Sequence, residues 1–155
     1  MSGRIFVDAD ACPVKQEVLT VAERHGWPVI LIGNSWMRGL DHGLVSQVVA
    51  PDGPDQADDR IVERIGLGDV VVTADVPLAA RCVEKGALGI DHRGKRFDAG
   101  SMGMALAMRD LLTGLRDSGD LSGGGPAPYA KQDRSRFKDG LERLIQSSKA
   151  AGNPG

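Results

Sequence analysis

This sequence has few cysteines, no long apolar run and no strong excess of one charge. Its 155 residues include two cysteines, Cys12 and Cys82, and neither belongs to a CxxC motif or a Cys/His cluster. Zinc fingers and disulfide-stabilised scaffolds are therefore excluded, and a reducing compartment is expected. The first apolar run is ended by Asp8, and no run approaches the ~18 residues of a membrane span. We therefore expect a cytoplasmic protein with no membrane partner.

The charge balance limits the kinds of partner that the protein can have. The chain carries 21 acidic and 19 basic side chains, which gives a formal net charge of -2. This balance argues against a surface coated with basic residues for nucleic acid, although it allows a local basic patch. A chain of 155 residues with 41% apolar residues is long enough to bury most of its unfolded surface. One self-sufficient hydrophobic core is therefore expected.

Short apolar β-runs are interspersed with helical patterns as far as residue 116. The run 70–73 is continuous and β-branched, which is typical of a strand buried on both faces of a parallel sheet. Strands separated by helices predict right-handed βαβ crossovers. The sequence therefore predicts an α/β fold, a three-layer α/β/α sandwich with a mostly parallel sheet. The predicted strands are 5–7, 29–32, 45–49, 70–73 and 88–90, and the predicted helices are 14–25, 55–65, 77–85 and 101–116.

Composition divides the chain into three parts. We assign residues 1–117 to the α/β domain and residues 118–128, rich in glycine, proline and serine, to a linker. Residues 129–149 are predicted to form a C-terminal amphipathic helix, because four apolar side chains share one helical stripe. They are Phe137, Leu141, Leu144 and Ile145. This helix is expected to dock either on its own domain or on a neighbouring subunit.

Acidic residues follow the ends of the predicted strands. Asp8 and Asp10 follow the first strand, Asp75 follows the fourth and Asp91 follows the fifth. Because ligands of an open parallel sheet bind outside the carboxyl ends of its strands, these acids are expected at one edge. Asp58 lies in the first turn of the helix before the fourth strand and shares the inward-facing stripe of that helix. The pattern therefore gathers carboxylates at a single ligand-binding edge.

Several carboxylates at one edge need protons or a cation. Two unit charges ~4 Å apart repel by roughly 4 kcal/mol at an effective dielectric constant of ~20. Oxygen-only ligands suit Mg²⁺ or Mn²⁺, whereas Zn²⁺ prefers His or Cys. A hard cation that holds a phosphate oxygen and a water performs phosphoryl transfer or phosphodiester hydrolysis. The predicted catalytic and metal-binding set consists of Asp8, Asp10, Asp58 and Asp75.

Each acid also has a structural alternative. Asp75 fits a helix N-cap, the acids of 55–59 fit a first turn matched to the helix dipole, and Asp91 fits a turn. Two acids directly after one strand, Asp8 and Asp10, exceed what capping requires. The recurrence of acids at strand ends therefore favours the metal site.

Four segments of the sequence stand out in combination. They read IFVDADACP over 5–13, DQADD over 55–59, GDVVVTADVPLA over 68–79 and KQDRSRF over 131–137. Together they resemble the YaiI/YqxD family of uncharacterised bacterial proteins. The resemblance spans nearly the whole chain, and the combination of segments is specific. It implies a PIN-like nuclease fold, in which acids bind Mg²⁺ or Mn²⁺ for the cleavage of RNA.

The resemblance also implies which acids hold the metal and where this chain departs from its relatives. The matching acids are Asp8, Asp10, Asp58 and Asp75. Residues 91–94 read Asp-His-Arg-Gly, whereas relatives commonly have Asn-Pro-Arg-Gly. Asp91 is therefore left outside the implied metal set.

Basic and aromatic residues near the predicted edge are candidates for substrate contacts. Arg93, Lys95 and Arg96 follow the fifth strand and are predicted to hold a phosphate backbone, with a solvated basic turn as the alternative. Trp36, after the second strand, is expected to serve as a rim or core anchor, with stacking on an unpaired base as the alternative. Cys12 is expected to be a packing residue.

Three functions fit these residues. The leading one is a metal-dependent nuclease or phosphodiesterase acting on RNA, with the predicted acids holding the cation. The second is a haloacid-dehalogenase-like phosphatase, because Asp8-Ala-Asp10 and Thr73 are similar to its nucleophile and phosphate-binding motifs. That similarity is incomplete, since Cys12 stands where the mechanism needs Thr or Val, and no paired acids end a strand after Lys85. The third is a non-catalytic RNA-binding or interaction module.

Overall fold

The computed structural model describes residues 3–9, 12–34, 36, 43–53, 55–97 and 131–152. Asp10, the predicted helix 101–116 and the predicted linker 118–128 lie outside these residues. The strands are β1 (Ile5–Asp8), β2 (Val29–Gly33), β3 (Val45–Val49), β4 (Val70–Val72), β5 (Leu88–Ile90) and β6 (Arg96–Phe97). The helices are α1 (Lys15–His25), α2 (Gln56–Arg64), α3 (Val76–Glu84) and α4 (Lys131–Gly152).

Local sequence sets the ends of the helices. Gly26 has a φ of 66°, in the left-handed region that glycine adopts without strain, and it ends α1. Asp75 caps α3, because its side chain accepts a hydrogen bond at 3.2 Å from the backbone N–H of Leu78. Pro77 lies in the first turn of α3, where the proline's missing N–H leaves no hydrogen bond unmade.

The six strands form one sheet in the order β3-β2-β1-β4-β5-β6. The first five strands of this order pair in parallel, and β6 pairs antiparallel with β5. The predicted α/β fold with a mostly parallel sheet is confirmed. Sequence analysis missed β6, because a two-residue strand is too short to show a period of two.

Apolar side chains bury both faces of this sheet. One face packs against α1 and α4, and the other packs against α2 and α3. Along β1, Ile5 and Val7 point toward the α1/α4 face, and Phe6 points toward the α2/α3 face. Because side chains alternate along a strand, Asp8 continues the row of Phe6 and lies on the α2/α3 face. The sheet with its two helical layers makes the three-layer sandwich.

The C-terminal helix α4 packs on α1 and β5 of its own chain. Its apolar stripe is buried in the same core cluster as the apolar side chains of α1. In the second half of α4, the Glu142 carboxylate lies 2.6 Å from Nε2 of His25 at the end of α1, and the Ser148 hydroxyl donates a 2.6 Å hydrogen bond to the Gly68 carbonyl before β4. In the described part of the chain, no helix is both long and apolar enough to cross a membrane.

Glycine allows the closest contact between α4 and the turn that joins β5 to β6. A Cβ atom added at Gly94, whose φ is 90°, would lie 2.4 Å from the carbonyl oxygen of Arg136. A Cβ atom added at Gly140 would lie 2.9 Å from the carbonyl oxygen of Gly94. Both distances are shorter than any side chain tolerates, so this contact requires glycine on each side.

Candidate functional site

The carboxyl edge of the sheet has a topological switch between β1 and β4. From β1 the chain builds β2 and β3 on one side, and it later places β4 on the other side of β1. The helix after β1 packs on one face of the sheet, and the helix after β4 packs on the opposite face. Open parallel sheets bind their ligands at such a point, because the diverging connections leave a crevice.

A buried hydroxyl group links two of the predicted acids at this point. The fully buried Thr73 donates a 3.0 Å hydrogen bond from Oγ1 to Oδ2 of Asp8. Oγ1 of Thr73 also accepts a 3.0 Å hydrogen bond from the backbone N–H of Asp75. Val7 pairs with Val72 in the parallel register, so the residues that follow them, Asp8 and Thr73, lie side by side. Thr73 therefore fixes the Asp8 carboxylate against the start of α3.

Asp58, in the first turn of α2, lies within electrostatic reach of both acids. Burial raises the pKa of the Asp58 carboxyl from 3.8 to about 6. The negative charges of Asp8 and Asp75 raise this pKa in the same direction. The three carboxyl groups therefore concentrate negative charge on the α2/α3 face of the switch point.

The chemistry of these side chains fits a hard cation. Asp8, Asp58 and Asp75 offer carboxylate oxygens, which suit Mg²⁺ or Mn²⁺. Within the described ranges, no group of three His, Cys, Asp or Glu side chains is arranged to hold a metal ion. The fourth predicted ligand, Asp10, lies outside those ranges. Asp8, Asp58 and Asp75 therefore have the oxygen donors that the prediction requires, but the described residues alone do not form a metal site.

Two neighbouring acids have structural roles. Asp59 accepts a 3.0 Å hydrogen bond from the guanidinium group of Arg81 on α3. Asp91 accepts 2.9 Å hydrogen bonds from the backbone N–H groups of Arg93 and Lys95, so it organises the turn before β6. The turn role that the sequence suggested for Asp91 is confirmed.

The predicted substrate-binding cations lie on the far side of β4 from Asp8. Arg93 and Lys95 belong to the turn after β5, Arg96 begins β6, and all three side chains are exposed. Nε of Arg93 lies 3.6 Å from Oδ2 of Asp133 on α4. The basic turn is therefore held against α4 and faces solvent at the same edge as the acids.

Trp36 and Cys12 were both expected to pack against apolar residues, and the structure gives them different environments. A core position for Trp36 is wrong, because 62% of its surface is exposed. Trp36 lies beyond Gly33, where β2 ends, and it belongs to neither of the two apolar clusters that the described residues form on the faces of the sheet. Cys12 is 6% exposed within the α1 side of the core, so its packing role is confirmed. Burial raises the pKa of the Cys12 thiol, which makes it a poor nucleophile.

Sequence analysis missed the linking role of Thr73. The pattern indicated Thr73 only as part of a phosphatase-like arrangement. Its contact with Asp8 follows from the pairing of β1 with β4, which are 65 residues apart at these two positions. Alternating strands and helices predict a parallel sheet but leave open which strands are neighbours, so this contact required the topology.

Comparisons with known proteins support the resemblance seen in the sequence. A UPF0178 protein of Parvibaculum lavamentivorans is 57% identical over 143 residues, which cover 92% of this chain and 93% of that protein. A UPF0178 protein of Rhodospirillum rubrum is 52% identical over 147 residues, which cover 94% of this chain and 97% of that protein. No solved structure matches the chain significantly. The sequence profile of the family described as "Uncharacterized BCR, YaiI/YqxD family" matches residues 6–147, and the chain therefore belongs to this family.

Proposed function

We propose that this protein is a metal-dependent nuclease or phosphodiesterase that acts on RNA and has a PIN-like fold. The observation that carries the proposal is that Thr73 links Asp8 to the backbone of Asp75 at the switch point between β1 and β4, and that both acids lie within electrostatic reach of Asp58. Burial raises the pKa of Asp58 most, and repulsion by Asp8 and Asp75 raises it further; a bound cation would relieve that repulsion. Helix capping alone does not explain why these three acids lie near one another, whereas cation binding does.

The residues around the acids have separate tasks in this proposal. Asp8 and Asp75 hold Mg²⁺ or Mn²⁺ together with Asp10, and the Thr73 hydroxyl keeps the Asp8 carboxylate in place. A bound cation supplies an activated water and stabilises charge on a phosphodiester. Asp58, with its pKa near 6, completes the ligand set and holds or releases a proton as the local charge changes.

The exposed cations of the β5–β6 turn supply the contact with the nucleic acid backbone. Lys95 and Arg96 are exposed, and Arg93 is oriented by its ion pair with Asp133. Phosphate contacts from Lys and Arg provide affinity without reading sequence. A local basic turn suits a protein whose net charge is -2, because its overall charge does not attract a polyanion.

A phosphatase that forms an aspartyl phosphate on Asp8 is supported less well. The Thr73 hydroxyl already donates a hydrogen bond to the Asp8 carboxylate and accepts one from the backbone N–H of Asp75. A hydrogen bond donated to the attacking carboxylate lowers its nucleophilicity and occupies the hydroxyl that would otherwise bind the transferred phosphoryl group. The hydrogen bonds of Thr73 therefore favour Asp8 as a charged ligand for a cation over Asp8 as a nucleophile.

The proposal is tested by cleavage assays on the purified protein. We expect Mn²⁺- or Mg²⁺-dependent cleavage of single-stranded RNA or a small phosphodiester, and Asp8→Asn should lower the rate by roughly 100-fold or more. The amide keeps the shape of the side chain but loses the charge that attracts the cation. Asp59→Asn is the matched control, because Asp59 lies beside Asp58 on α2 but pairs with Arg81. This control should keep a rate close to that of the wild type.

Three outcomes would contradict the proposal. Cleavage that persists in Asp8→Asn or in EDTA would come from a contaminating enzyme. A phosphoryl group trapped on Asp8 during hydrolysis of a phosphomonoester would establish the phosphatase mechanism. Binding of RNA without cleavage of any substrate, weakened by substitution of Arg93 or Arg96, would identify a non-catalytic module.

A further inference from the structure

Trp36 is a large aromatic side chain that the fold leaves in water. The chain has two tryptophans, and they differ sharply in burial. Trp27 is fully buried, whereas 62% of the surface of Trp36 is exposed. The exposed ring therefore adds little to the core and is available for contact with another molecule.

The strand order places Trp36 in one row with the acids and the basic turn. Trp36 follows β2, Asp8 ends β1, Asp75 follows β4, and the basic turn that begins at Asp91 follows β5. These four strands are consecutive neighbours in the sheet. With about 4.8 Å between strands, the row extends for roughly 14 Å along the carboxyl edge. A molecule that crosses this edge meets an aromatic ring first, then carboxylates, then cations.

We propose that Trp36 stacks on an unpaired base of a single-stranded nucleic acid that crosses the carboxyl edge from β2 to β6. This inference rests on the proposed function and adds the substrate class. In a duplex the faces of internal bases are covered by their neighbours, so an aromatic ring stacks only on bases that are unpaired or terminal. The backbone of the same strand reaches Lys95 and Arg96 on the far side of the acids.

A stacking contact would add affinity that the overall charge of the protein does not supply. A chain with a net charge of -2 gains little from long-range attraction to a polyanion. Stacking on an aromatic ring is insensitive to salt and tolerates any base, because each base has a π-face. The few cations of the basic turn together with one stacking platform are the combination found in proteins that bind single strands.

The experiment measures binding in EDTA, where the proposed cleavage cannot occur. The probes are a fluorescein-labelled single-stranded RNA of 12 nucleotides, a DNA of the same sequence and a blunt RNA duplex, and the readout is anisotropy. Trp36→Ala should weaken binding of the single-stranded RNA by roughly 10- to 100-fold, with an unchanged salt dependence. Trp36→Phe should lose less, because it keeps an aromatic face. If stacking alone determines the effect, Trp36→Ala should lower the affinity for the RNA and the DNA single strand equally. A larger loss of affinity for RNA would show that the 2′-hydroxyl group also contributes.

A matched control and a second readout separate stacking from general damage. Leu67→Ala removes another exposed apolar side chain, which is 89% exposed and lies before β4 at the opposite edge of the sheet. It should bind the RNA as the wild type does. Because Trp27 is buried, quenching of tryptophan fluorescence by added oligonucleotide should come from Trp36 and should disappear in Trp36→Phe.

The inference and the proposed function fail in different ways. Equal affinity of wild type and Trp36→Ala for the single strand, an equal loss for single strand and duplex, or no binding of any oligonucleotide would overturn the stacking role. None of these results decides the proposed metal-dependent hydrolysis, which is measured on a small phosphodiester with Mn²⁺. Conversely, absence of hydrolysis together with a Trp36-dependent affinity for single strands would retain the stacking role and reject the nuclease.

Discussion

A single buried threonine determines how the acids of the site are presented. The Thr73 hydroxyl donates a hydrogen bond to the Asp8 carboxylate and accepts one from the backbone N–H of Asp75. Buried polar groups are stable when each is satisfied in this way. Thr73 therefore fixes the Asp8 carboxylate, and the cap hydrogen bond from Leu78 fixes that of Asp75. Asp58 on α2 experiences the charge of both.

The raised pKa of Asp58 predicts a specific dependence of stability on pH. Between pH 3.8, its ordinary pKa, and pH 6, its pKa in the folded protein, the folded state binds more protons than the unfolded state. The free energy of unfolding therefore falls as the pH rises through this window. In EDTA, Asp58→Asn should remove this fall and stabilise the protein above pH 6 by up to about 1 kcal/mol, because solvent screens a half-exposed carboxylate. Urea denaturation at pH 4, 5, 6 and 7 measures the effect.

Asp59→Asn is the control for this prediction. Asp59 lies in the same turn of α2 but forms an ion pair with Arg81, so its loss should give no stabilisation above pH 6. A gain of the same size in both variants would show that the general negative charge of α2, and not the reach of Asp58 to Asp8 and Asp75, causes the effect.

At the residue level, sequence patterns predicted where a residue lies on the sheet better than they predicted which side chains it contacts. The placement of Asp8 and Asp75 at one edge followed from the rule that parallel strands share their carboxyl ends. The bond from Thr73 to Asp8 depends on register, and the exposure of Trp36 depends on where the helical layers stop. Neither property is encoded in the neighbouring residues, so both required the tertiary structure.

At the element level, the contact between α4 and the β5–β6 turn joins the basic turn to the core. Gly94 lies between Arg93 and Lys95, and its backbone touches that of Arg136 on α4. The ion pair of Arg93 with Asp133 reinforces the same contact. The stripe of α4 was visible in the sequence, but its docking surface was left open between two alternatives, and no pattern indicated that the turn after β5 receives this helix.

Gly94→Ala should destabilise the protein by about 2–4 kcal/mol. The added methyl group would lie 2.4 Å from the carbonyl of Arg136, and the φ of 90° is strained for alanine. Overpacking typically costs about 1–3 kcal/mol, and left-handed strain costs about 1–2 kcal/mol. Gly26→Ala has the strain without the clash, because its φ is 66° and no atom lies within 4 Å of the added methyl group. It should lose about 1 kcal/mol. Equal losses in urea denaturation would show that α4 does not press on the turn.

At the level of the whole molecule, the two faces of the sheet have different tasks. The α2/α3 face ends in the acids, and the α1/α4 face carries the larger apolar cluster that holds the sheet in place. Arg134 of α4 also donates a 2.9 Å hydrogen bond to the carbonyl of Pro13, just before α1. The C-terminal helix therefore supports the edge where the site lies as well as the core.

Removal of α4 should prevent folding of the rest of the chain. Phe137, Leu141 and Ile145 are fully buried and Leu144 is 1% exposed, and each such side chain contributes about 1.5–3 kcal/mol. Their sum of roughly 6–12 kcal/mol is comparable to the whole stability of a typical domain, about 5–15 kcal/mol. A chain ending at residue 130 should show no cooperative transition when its circular dichroism is followed on heating.

A milder variant keeps this last prediction measurable if the truncated chain is not recovered. Leu141→Ala should cost about 2–5 kcal/mol, which corresponds to a fall in Tm of roughly 4–20 °C for a chain of this size. Arg143→Ala is the control, because Arg143 is an exposed residue of the same helix, and its Tm should stay within about 2 °C of the wild type. A truncated chain with a sharp transition, or equal Tm values for Leu141→Ala and Arg143→Ala, would show that α4 lies outside the cooperative core and that the site is built without it.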